Sequence, residues 1–190
     1  MKIPKDKKII IIEGIAGSGK TTIVENLKKK FKNSSIYEFS ENDLLFSWKH
    51  LWIKNLQSVR LNYMNKLLNF CKETLGKNEK TIFIFDRFHI TYYLFSIMNK
   101  EKIPSDYNKI ITQLRKLPVY IILPVLDRSL IEERTRHIER KDKLWNFHRE
   151  KRLKKLGFNN FTDLYIWEQN KVLNLIKKQK IPYSIIELKI

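Results

Sequence analysis

The amino-acid sequence predicts a single α/β domain, a parallel sheet with helices on both faces. Apolar, β-rich runs recur at Lys8–Glu13, Ser35–Phe39, Thr81–Asp86, Val119–Pro124 and Tyr183–Leu188, and helical patterns separate them. Alternation of that kind builds parallel sheets, because each return crossover carries a helix. The runs "TIFIF" and "VYIIL" are apolar almost without interruption, as strands covered on both sides require. A glycine cluster between the first run and the first helix is the third sign.

Taken in order, the first run ends at Glu13 and opens into Gly14, Gly17 and Gly19, three of the five glycines in the chain. Ile23, Leu27 and Phe31 then recur every four residues, one face of an amphipathic helix. Lys28, Lys29, Lys30 and Lys32 fall at its expected C-terminus, where they complement the helix dipole. Leu61, Met64, Leu67, Leu68, Cys71 and Leu75 mark a longer helix. Further helical patterns run over His89–Met98, Tyr107–Lys116, Arg128–Ile138, Lys143–Leu156 and Phe161–Lys180. No repeat, low-complexity tract or Pro/Gly-rich linker divides residues 1–190, so one domain is expected.

Composition narrows the class. The chain is 43% hydrophobic and 31% charged, the balance of a folded globular protein. Its apolar stretches fall short of the roughly 20 residues a membrane-spanning helix needs, and the short apolar run after the basic N-terminus does not read as a signal peptide. Cys71 is the single cysteine, so no internal disulfide can form, and a reducing, cytoplasmic setting is expected. Thirty-eight Lys and Arg against twenty Asp and Glu leave a net charge of +18. Such a field attracts polyanions, nucleic acid included. Lysines scattered over a solvated surface are the favoured account of it, and a phosphorylated substrate would profit from it too.

Gly14-Ile15-Ala16-Gly17-Ser18-Gly19-Lys20-Thr21 fits G-x-x-x-x-G-K-[ST], with Thr22 following, and a strand and a helix flank it as the motif requires. Glycines let the backbone wrap closely and aim N–H groups at phosphate oxygens, and the helix N-terminus adds positive potential. Lys20 is expected to reach the β- and γ-phosphates of a nucleoside triphosphate, and the Thr21 hydroxyl to help hold Mg²⁺. "FDRF" places Asp86 at the carboxyl end of the third strand, where ligands of open α/β sheets sit. A carboxylate there can hold Mg²⁺ through its water shell or accept a proton from an attacking oxygen. Arg87 offers a planar fork for phosphate or carboxylate; an Asp–Arg pair capping the next helix is the structural alternative.

"EERTRHIERKD" carries Arg134, Arg136 and Arg140 after the fourth strand. Arginines on a mobile segment can neutralise charge on a transferring phosphoryl group. Ion pairs along one helix face, Glu132 with Arg136 and Glu133 with His137, explain the same residues structurally. Phe46, Trp48 and Trp52 can stack on a base or pack in the core.

In this order and spacing the three clusters resemble the thymidylate kinase and deoxynucleoside kinase branch of the P-loop kinases. "IIEGIAGSGKTT" is similar to the first motif of either, "FDRF" to the Asp-Arg motif of thymidylate kinases, and "LPVLDRSLIEERTRHIER" to their fourth strand and arginine-bearing lid. "KKQKIPYSIIEL" is similar to their last helix and strand. The resemblance implies the P-loop nucleotide kinase fold, a five-stranded parallel sheet with a helical lid near residues 134–145. It implies ATP and Mg²⁺ as cofactors and phosphoryl transfer to a nucleoside monophosphate, or else to a deoxynucleoside. Lys20, Asp86, Arg134 and Arg136 are then the expected catalytic set, with Asp86 and Thr21 toward the metal. Glu41, Arg60, Arg87 and Arg140 are expected at the acceptor, and the backbone of residues 14–22 at the donor. Two departures stand out: Ala16 occupies a position that is often acidic in thymidylate kinases, and Asp86-Arg87-Phe88 replaces the Glu-Arg-Ser usual in deoxynucleoside kinases. A homodimer is the assembly common in the family. A polynucleotide 5′-hydroxyl kinase, with nucleic acid as partner, and a nucleotide-binding regulator without turnover are the competing expectations.

Overall fold

The computed structural model describes residues 2–46, 56–98, 102–137 and 143–188, apart from the side chains of 45–46, 135–137, 143–146 and 148. The chain runs β1 (Ile9–Ile12), α1 (Lys20–Lys30), β2 (Ser35–Phe39), a π-helical turn (Asn42–Phe46) and α2 (Leu56–Lys77). β3 (Thr81–Asp86), α3 (His89–Met98), α4 (Asp106–Lys116) and β4 (Val119–Leu126) follow. α5 (Arg128–His137), α6 (Lys143–Leu156), α7 (Phe161–Gln179) and β5 (Tyr183–Leu188) complete it. The strand runs of the sequence recur here within two residues at their ends, and the helical patterns fall on helices, α2 starting at Leu56 ahead of the pattern that opens at Leu61.

The five strands form one sheet in the order β2-β3-β1-β4-β5, every pair parallel. β1 lies at the centre, and all four of its isoleucines are fully buried. Alternate residues feed two cores. Ile9 and Ile11 join α2, α3 and α4 on one face, while Ile10 and Ile12 join Val24 and Leu27 of α1 on the other. Cys71 is buried in the first core and is inert packing there.

Capping residues explain where two helices begin. Asp127 precedes α5 and accepts hydrogen bonds from the Leu130 amide (2.8 Å) and the Ser129 hydroxyl (2.7 Å). Asn160 precedes α7, accepts from the Asp163 amide at 2.8 Å, and donates back to the Asp163 carboxylate. α7 also holds the end of β4. Gln169 accepts from the Leu126 amide and donates to the Leu126 carbonyl, each at 2.9 Å, and so satisfies the backbone where the strand leaves the sheet.

Candidate active site

The central strand delivers the chain into the glycine loop. Ile12 pairs with Asp86 on β3 and Ile122 on β4, so the loop leaves from the carboxyl edge of the sheet. Gly14 has φ +153°, and a Cβ there would stand 2.9 Å from Ser18 Oγ and 3.3 Å from Pro124. A side chain is excluded on both counts. Gly19, with φ +78°, turns the chain into α1 and makes no side-chain cap. The first amides of α1 are therefore directed at the loop's concavity rather than at a capping oxygen.

Within the loop, Ser18 Oγ and Lys20 Nζ each donate to the Ile15 carbonyl at 2.9 Å. The Ile15 side chain is buried against Leu126, Leu130 and Ile131, and Ala16 packs on the same cluster, so both offer the site backbone only. Thr21 and Thr22 are exposed on the first turn of α1. Lys20 is itself buried, 8% exposed, and burial pushes its ammonium down to about 7. The charge of Arg87 adds to that shift, and Glu41, Asp86 and Glu13 oppose it. Arg134 comes from α5 and donates to the Gly17 carbonyl at 2.6 Å. One arginine of the third cluster thus touches the loop directly.

Asp86 ends β3 beside Ile12, partly buried, and its Oδ1 is a buried atom with no hydrogen-bond partner among the described residues. Burial raises its carboxyl above the usual range despite the nearby charges of Lys20 and Arg87. Arg87 follows at φ 70°, a left-handed conformation that costs a non-glycine residue about 1–3 kcal/mol. Its amide donates to the Ile12 carbonyl at 2.8 Å, and its Nε pairs with Glu41 Oε2 at 2.9 Å. Glu41, after β2, therefore meets the Asp-Arg motif.

Two residues of this cluster were not anticipated. Glu13 is fully buried; its Oε1 accepts from the Phe88 (2.9 Å) and Ile90 (3.1 Å) amides, and its Oε2 from Thr91 Oγ1 (2.5 Å). It, not Asp86, caps α3, which settles against an Asp86–Arg87 cap. An acid wedged between four isoleucines and a glycine was the available signal, since a charge there must find partners. Thr91 carries no such signal. His89, by contrast, is core: its Nε2 donates to Gln179 Oε1 at 2.8 Å, Gln179 donates to Tyr107, and burial pushes its pKa down to about 4.

A cavity of about 520 Å³ opens between the outer face of α1 and β5, lined by Thr22, Ile23, Asn26, Lys30, Arg134 and Leu188 among others. It begins where the loop ends. Arg60 is half-buried on α2. Arg140 and the aromatics Trp48 and Trp52 lie outside the described residues, as do the side chains of Phe46, Arg136 and His137; the proposed ion pairs of Arg136 and His137 fall there too. The expected lid, 134–145, is described only in part.

No protein-family model matches the sequence, and no curated protein matches it. Solved structures do. The Bacillus subtilis YorR protein, in complex with phosphorylated GDP, aligns over 94% of this chain and 85% of its own, with TM-score 0.61 and 15% identity. Thymidylate kinase from Ehrlichia chaffeensis aligns over 97% and 88%, with TM-score 0.57 and 15% identity. The fold is that of the P-loop nucleotide kinases. Deoxyadenosine kinase from M. mycoides, with the products dCMP and dCDP bound, aligns over 94% and 89%, with TM-score 0.50 and 17% identity. Within this kinase fold the glycine loop, Asp86, Arg87 and Glu41 all lie at the carboxyl edge of the sheet, where such folds hold their ligands.

Proposed function

We propose that this protein is a kinase that transfers the γ-phosphoryl group of ATP to a nucleotide-class acceptor. The observation that carries the reading is the convergence of a buried lysine and a strand-end carboxylate on one amide-lined loop. The loop amides and Lys20 bind the β- and γ-phosphates, with Lys20 exchanging the Ile15 carbonyl for phosphate oxygens. Arg134, already at the loop, stands on the donor side with a guanidinium for the charge that builds on the transferring group. Arg136 and Arg140 are proposed for the same lid on their place in the motif. The cavity beside Thr22 takes the base and ribose of the donor, apolar walls against its faces and Asn26 within reach of its edge.

The donor set suits Mg²⁺. That ion keeps most of its waters and takes one or two protein oxygens, and the orphaned Asp86 Oδ1 and the exposed Thr21 hydroxyl are oxygens of the right kind. When bound, it screens the charge on the β- and γ-oxygens.

The acceptor of the first reading is a nucleoside monophosphate, bound by Arg87 with help from Arg60. A specific observation favours a second reading, a nucleoside hydroxyl: Glu41 already neutralises Arg87 at 2.9 Å and sets a negative charge where an acceptor phosphate would lie. In that case the hydroxyl oxygen bonds to the γ-phosphorus as the β–γ bridge breaks, and its proton passes to Glu41 or Asp86. A panel of nucleosides and their monophosphates, scored by ADP release, decides between the two. Lys20→Ala and Asp86→Asn should each lower turnover by at least about a hundredfold while the protein stays folded. Near wild-type turnover in either variant would overturn the assigned roles.

A further inference from the structure

The strained arginine of the Asp-Arg motif is held at both ends of its guanidinium. Arg87 Nε meets Glu41, and its Nη1 donates to Thr91 Oγ1 at 3.3 Å. Thr91 has one proton to give. Because its oxygen receives Arg87, that proton goes to Glu13 Oε2. Glu13 in turn pins the Phe88 and Ile90 amides, the first turn of α3, which fixes the place of Thr91 relative to the bend at Arg87. Every member of this relay except Glu41 is buried, so water does not replace a lost bond.

We propose that Glu13 and Thr91 are positioning residues for the acceptor site: together they lock the Arg87 guanidinium at the carboxyl edge of the sheet, facing Glu41. This rests on the reading of Arg87 as an acceptor contact. Neither residue touches substrate in this scheme; Thr91 acts by aiming Arg87, and Glu13 by fixing the direction of the Thr91 hydroxyl. Glu13→Gln makes the point chemically. Its oxygen can still accept both amides, but its NH₂ would then donate to Thr91, so the Thr91 proton loses its acceptor and the hydroxyl must turn from its bond to Arg87 to find another.

The test has a structural and a kinetic arm, both on the full chain. Side-chain ¹⁵N NMR of the ligand-free protein reads rotation about the Arg87 Nε–Cζ bond. Wild type should show separate Nη signals, Thr91→Val an averaged one, and Thr91→Ser the wild-type pattern. Glu13→Gln should average as Thr91→Val does, and it serves if the valine variant fails to fold. Signals that stay separate in both variants would overturn the relay. In the kinetic arm, with dTMP and thymidine as the acceptors tested, Thr91→Val should raise the acceptor KM about tenfold, the loss of one charged hydrogen bond. The KM for ATP should move less than twofold, and Thr91→Ser should restore the acceptor KM. Arg87→Lys separates the two levels of the claim. If it raises the acceptor KM and Thr91→Val does not, the inference fails and the acceptor reading stands. If neither variant changes the KM of either acceptor, both fall.

Discussion

In the proposed reaction Lys20 is the residue on which the chemistry turns, and burial makes it unusual. Out of water its ammonium holds its proton only up to about 7 in the ligand-free protein, against 10.5 for a free lysine. A bound triphosphate favours the charged form and raises that value again. Between the two values donor binding must therefore take up a proton, and affinity must fall as pH rises, by at most tenfold per unit. Calorimetry in buffers of different ionisation enthalpy should find proton uptake at pH 8 that is absent at pH 6 and absent in Lys20→Met. Equal uptake in the variant would place the proton elsewhere. The place of Lys20 at the glycine loop was legible in the sequence, because the motif is local and its spacing fixes which residue follows the last glycine. Glu13 was not, because its partners lie 75 to 78 residues away and only the fold joins them.

Among the elements, the junction of β4 and α5 decides whether Arg134 reaches the loop. β4 continues to Leu126, beyond the Val119–Pro124 expected from its apolar run, because Gln169 on α7 completes the hydrogen bonds of its last residue. Nothing in the local sequence marks that glutamine. Gln169→Leu would leave a buried amide and a buried carbonyl unpaired, at about 1–3 kcal/mol each. Denaturant unfolding should show a loss of about 2–4 kcal/mol, whereas a change below about 0.5 kcal/mol would mean the strand end does not depend on it. Other elements were legible for a plain reason. β3 and β4 are apolar runs of strand length, and α1 and α2 repeat apolar residues at helical spacing, so periodicity alone located them.

Across the whole molecule the unresolved question of the sequence was its charge. The +18 balance is spread over many elements, and lysines crowd helix ends such as Lys28, Lys29 and Lys30 of α1. A dispersed charge gives loose, salt-sensitive attraction rather than a dedicated groove. Oligonucleotide binding at physiological salt is expected to stay in the non-specific range, about 10⁻⁴ to 10⁻⁶ M. Nanomolar binding in a fluorescence titration would instead favour a polynucleotide acceptor.

The most direct test of the account is a crystal structure with Mg²⁺ and a non-hydrolysable ATP analogue. The β- and γ-phosphates should lie on the amides of residues 17–22, with Lys20 Nζ moved from the Ile15 carbonyl to phosphate oxygens and the base in the cavity between α1 and β5. An analogue bound away from the glycine loop, or a loop that stays closed on its own side chains, would contradict it.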